Sequence, residues 1–140
     1  AAPGATGEGA AETDRVRAEV ARLEASVLED PTETRRREKR EKVAEAMLVF
    51  NGGDLEGARA ILEPLALSGG ADAQYRLGEM HAKTPGAENM GEAYVWLALA
   101  AENGHPKARR AQWAVLDAMG EAERRSARRS LSERRGRLTR

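Results

Sequence analysis

Two stretches of this chain repeat one another at a fixed distance. "EGARAILEPLALSGG" (Glu56 to Gly70) lies over "GEAYVWLALAAENGH" (Gly91 to His105). Ala58 matches Ala93, Ile61 matches Trp96, Leu62 matches Leu97, Ala66 matches Ala101 and Gly69 matches Gly104, each pair 35 residues apart. Self-similarity at that period is the mark of stacked helical hairpins, because one hairpin cannot bury its apolar face and neighbours must share the task. Ala93, Ala98, Ala100 and Ala101 are small enough to let an adjoining helix come close, while Trp96 and Leu97 fill the space between layers.

Helical signals run along nearly the whole chain. Val, Ile, Tyr, Phe and Thr never cluster with period two, aromatic residues make up only 4%, and Ala and Leu supply most of the apolar content. That excludes a sheet protein and predicts an all-α fold. Val16, Val20, Leu23 and Val27 alternate steps of four and three, which predicts an amphipathic helix over 13–30. Asp30-Pro31 restarts the chain with a cap and a first-turn proline. Further helices are expected from there to about 50, over 54–68 with a bend at Pro64, over 71–82, 90–103 and 106–119, and from 121 toward 137. Asn51-Gly52-Gly53, Ser68-Gly69-Gly70 and Asn103-Gly104 are the stops. The expected organisation is a disordered leader over 1–12, an N-terminal helix over 13–30, and a repeat domain over 31–140.

Charge balances overall but not locally. Residues 1–34 carry eight acids against three bases, and residues 105–140 carry eleven bases against four acids. The longest apolar run, Ala93 to Ala101, is far below the roughly 20 residues of a membrane-spanning helix. There is no Cys, so disulfides and thiolate metal sites are excluded. A Cys-free chain opening on "AAPGATGEGAAE" suits a mature exported or periplasmic protein, or a piece of something longer, and a cytosolic one almost as well.

The segment "ADAQYRLGEMHA", followed by "GEAYVWLALAAENGHPKA", resembles the Sel-one-like repeat, a relative of the tetratricopeptide repeat. The matching positions are Ala73, Leu77, Gly78 and Met80 in the first helix, then Ala93, Trp96, Ala100, Ala101 and Gly104 in the second. The resemblance covers about residues 40–130. Two positions depart from it: Thr84 stands where the family loop has Gly, and His81 where it has Tyr. The resemblance implies a right-handed α/α superhelical solenoid of about three helical hairpins, with an extra N-terminal helix and a C-terminal capping helix. It also implies a protein–protein adaptor or scaffold that binds along a groove, in bacteria often in envelope complexes.

No catalytic, cofactor or metal site is expected. His81 and His105 are the only histidines and have no acids at ligand spacing. His81 reads as a core or groove residue. Trp113 and Leu116 fall off the stacking face marked by Ala108, Ala111, Val115 and Ala118. They either pack under the C-terminal helix or form an aromatic anchor for a partner. Asp72, Arg76, Glu79 and Lys83 alternate in sign along one helix face, which either neutralises itself or reads a polar ligand through Arg76 and Glu79. Arg109, Arg110 and the arginine pairs 124/125, 128/129 and 134/135 read first as a solvated, partly frayed helical end. An acidic protein surface or nucleic acid is the alternative use. The stripe Val16, Val20, Leu23 and Val27 is either a cap on the first repeat or a homodimer seam.

Overall fold

A computed structural model describes residues 7–138 of the chain. It contains seven helices and no strand among those residues: α1 (Gly7–Leu28), α2 (Pro31–Asn51), α3 (Leu55–Leu67), α4 (Ala71–Ala82), α5 (Ala87–Glu102), α6 (Ala108–Asp117) and α7 (Glu121–Leu138). No helix among them is long and apolar enough to cross a membrane. The chain divides into two compact units, residues 1–38 and 39–140.

The first unit holds α1 and the opening turns of α2. The helix begins at Gly7, not Thr13. Residues 1–6 of the expected leader lie outside the described residues, and 7–12 are helical. Ala10 and Ala11 are strong helix formers, Glu8 favours the positive helix start, and the Thr13 hydroxyl donates back to the Gly9 carbonyl at 2.8 Å. After α1, the Asp30 carboxylate accepts from the Thr32 amide at 2.9 Å and caps α2. Arg37 pairs with Glu29 across the same junction.

In the second unit α3 packs on α4, α4 on α5, and α5 on both α6 and α7. Val43 and Ala46 of α2 join the same core. The helix ends repeat as the sequence does. Ser68, Gly69 and Gly70 amides donate to Pro64, Ala66 and Leu65 carbonyls at 3.2, 3.1 and 3.1 Å. Shifted by 35 residues, Asn103, Gly104 and His105 donate to Leu99, Ala101 and Ala100 at 3.0, 3.1 and 2.9 Å. Both turns need a left-handed residue, and glycine supplies it, with φ of +92° at Gly69 and +91° at Gly104.

Gln74 joins these two ends through the interior. It is fully buried on α4, donates from Nε2 to the Ala66 carbonyl at 3.0 Å, and accepts at Oε1 from the Asn103 side-chain Nδ2 at 2.9 Å. The apolar variant Gln74→Leu is expected to lower stability by about 1–3 kcal/mol, the cost of leaving buried polar partners unpaired. Denaturant unfolding followed by circular dichroism reads this directly. A loss below about 0.5 kcal/mol would show that the clip is dispensable.

α5 is the centre of the domain. Every residue from Ala93 to Ala100 is buried, so the helix is covered on all sides. Its alanines are where neighbouring helices come in. α4 comes close at Gly78: a Cβ there would lie 2.7 Å from Leu97 Cγ and 3.2 Å from the Leu97 backbone nitrogen.

Candidate partner-binding surface

α6 is a ten-residue helix with two faces. Ala108, Val115 and Leu116 are buried against the core, and Arg109, Arg110 and Trp113 point outward. Arg109 and Trp113 are four residues apart and therefore neighbours on the helix surface. Opposite them α5 presents Ala98, Ala101 and Glu102, and with Gln112 these residues enclose a hollow of about 260 Å³. The hollow exists because two alanines sit where longer side chains would fill it. Trp113 keeps 55% of its surface exposed beside it, whereas Trp96, Tyr75 and Tyr94 are buried. An indole left in water next to a small recess of mixed polarity and a cation can hold an apolar side chain and a carboxylate together.

Leu116 does not share this role. The sequence placed it with Trp113, but Leu116 is buried in the core of the domain. Arg124 Nε donates to the Leu116 carbonyl at 2.9 Å and to the Met119 carbonyl at 3.0 Å, tying the start of α7 to the end of α6. The charge at the end of a helix is suited to its free carbonyls.

His81 is likewise not available to a partner. It is 2% exposed, and its Nδ1 lies 3.0 Å from Asn89 Oδ1. Asn89 in turn donates from Nδ2 to the Pro85 carbonyl at 3.0 Å, so the Asn89 carbonyl oxygen faces the ring and Nδ1 carries the proton. The loop folded back by these contacts starts α5 at Ala87, three residues before the expected Met90.

Arg76 and Glu79 pair with one another at 3.2 Å, and Asp72 lies 3.9 Å from the same guanidinium. Beside them the Tyr75 ring stacks on His105, centroid to centroid 4.1 Å. Burial, with the Glu79 carboxylate nearby, raises the Tyr75 phenol above its ordinary pKa. His105 Nδ1 accepts from the Lys107 amide at 3.2 Å, which leaves Nε2 to carry the proton toward Asp72 at 3.6 Å.

The arginine-rich end is helical to Leu138 and solvated on one face only: Arg109, Arg110, Arg125, Arg128 and Arg129 are exposed, while the other face of α7 packs on the domain. Ala127 and Leu131 are buried and Leu138 is partly buried, all on one stripe of α7 with Arg124 and Arg134. Arg134 reaches the Glu92 carboxylate at 3.3 Å and lies over the Trp96 ring at 4.9 Å, and Arg135 pairs with Glu102. Arg124 and Arg134 are thus half-buried against the domain, and Arg135 pairs with Glu102 at its exposed surface. The stripe at positions 124, 127, 131, 134 and 138 was present in the sequence, but arginine at two of its five positions hid it. Long arginine stems cover apolar surface as well as carrying charge.

No group of three or more His, Asp or Glu among the described residues is placed to hold a metal ion. The chain matches no family model, no curated protein and no solved structure.

Proposed function

We propose that the chain is a protein–protein interaction module, an adaptor or scaffold without chemistry of its own. In this reading residues 39–140 form a right-handed superhelical stack of about three hairpins of the Sel-one-like kind. Two features support that reading: the identical hydrogen-bonded helix ends 35 residues apart, and the succession of α3 to α6 packing each on the next. The same resemblance is the ground for placing the module in a bacterial envelope complex.

The observation that carries the functional reading is Trp113, exposed beside the hollow between α5 and α6. The partner it fits is a segment that lays an apolar side chain against the indole and a carboxylate against Arg109. Trp113→Ala is expected to weaken that partner by about 30-fold or more, as loss of an aromatic hot spot does. Thermal stability should stay within about 1 kcal/mol of wild type, since the side chain is mostly in water. Affinity capture from the native source after nuclease treatment, followed by titration of the captured protein, tests both parts. A partner held equally by wild type and variant would remove Trp113 from the interface. Retention of a nuclease-sensitive species alone would replace the adaptor with a polyanion binder.

A further inference from the structure

α1 carries an apolar stripe that stays exposed among the described residues. Val16, Val20, Leu23 and Val27 lie on one side at steps of four, three and four, and each remains between 46 and 83% exposed. This is the a/d pattern of a two-helix seam, with Val16 and Leu23 at d, and Val20 and Val27 at a. One edge of the stripe is marked by Arg17 and Glu24, each directly after a d residue, and the other by Glu12, Glu19 and Ser26.

We propose that α1 pairs with α1 of a second copy in antiparallel orientation. The charges select both the occupant and the direction. Antiparallel, with Val16 opposite Val27 and Val20 opposite Leu23 of the second copy, Arg17 of each chain meets Glu24 of the other. Symmetry makes this contact twice. Parallel, Glu19 would face Glu24 of the second copy, again twice, cancelling the attraction between Glu12 and Arg17. Neither Arg17 nor Glu24 has an ion-pair partner among the described residues, whereas Arg22 is taken by Glu19 at 2.6 Å. The two groups that the antiparallel pair uses are the two left open within the chain.

The seam is isologous, so it closes as a dimer and does not polymerise. It spans two heptads, short of the three to four that make an independent coiled coil, so the dimer is weak and dissociates on dilution. This dimer does not depend on Trp113 or on the partner proposed above.

Sedimentation velocity on the full chain, over about a hundredfold range of concentration reaching the millimolar, reads the equilibrium. The expected result is a shift from monomer to dimer. Leu23→Glu should weaken it about tenfold or more by placing a charge in the seam. Arg17→Glu and Glu24→Arg should each weaken it about three- to tenfold, and the double variant should return it to the wild-type value. All three positions are exposed, and circular dichroism should show that helix content is kept. Monomer at every concentration overturns the proposal, as does a dimer indifferent to Leu23→Glu. Tightening by Glu24→Arg also overturns it, because that change repairs a parallel seam and damages an antiparallel one.

Discussion

Replacing Trp96 by Ala is expected to destabilise the helical domain by about 3–5 kcal/mol, the range for truncating a large buried aromatic. Trp96 is among the largest fully buried side chains and stands on α5, where helices converge from several sides. Its removal opens a void between α5 and α7 and takes the ring from under the Arg134 guanidinium at 4.9 Å. That cation–π contact contributes about 0.5–2 kcal/mol depending on its solvation. Arg134 also holds Glu92, so Arg134→Met alone should cost less than Trp96→Ala, and the double variant less than the sum. Urea unfolding of the four proteins of this cycle measures the coupling. Strict additivity would mean that the ring and the guanidinium do not sense one another. A Trp96→Ala loss below about 2 kcal/mol would mean that α5 and α7 collapse onto the vacancy.

Gly78→Ala is expected to lower stability by about 1–3 kcal/mol, although alanine is the better helix former by about 1 kcal/mol. The two effects oppose one another, and geometry decides between them. The new methyl would meet Leu97 Cγ at 2.7 Å and Cδ2 at 2.9 Å, closer than such carbons approach, and the α5 backbone stands behind them at 3.2 Å. The Leu97 side chain has no free space to turn into, since it and its neighbours from Ala93 to Ala100 are all buried. In a Leu97→Ala background the side-chain clash is gone and only the α5 backbone nitrogen stays close at 3.2 Å, so Gly78→Ala should then cost clearly less than in wild type. A stabilising Gly78→Ala in the wild-type background would show that α4 and α5 separate freely and that propensity wins.

Gly78 also shows what could be read without coordinates. The resemblance picked it out beside Leu77, and the alanines of α5 signalled a close approach, because glycine and alanine leave the same mark whatever their neighbours are. Helix ends were legible for a similar reason: Gly69 and Gly104 occupy backbone conformations that other residues resist. The surface was harder to read. Trp113 and Leu116 are only three residues apart on α6, yet Leu116 is buried and Trp113 is 55% exposed, a division that spacing alone does not reveal. His81 was open between core and groove because its burial depends on Asn89, in the next helix. Charged residues misled most. Arg134 looks like solvent-facing charge in the sequence, and becomes structural only once Glu92 and the Trp96 ring are brought beside it.

The path of α7 changes how the domain comes apart. In a row of helices where each touches only the next, the last one can peel away and leave the others standing, and unfolding runs inward like a zip. Here the last helix passes back and takes hold of α5, the helix most others lean on. Releasing it strips Trp96 of cover and leaves Glu92 and Glu102 without their counter-charges, so detachment undermines the middle of the row rather than its edge. Residues 39–140 are therefore expected to melt as one cooperative unit, and hydrogen exchange in α4, α5 and α7 should follow a shared opening rather than a gradient along the chain.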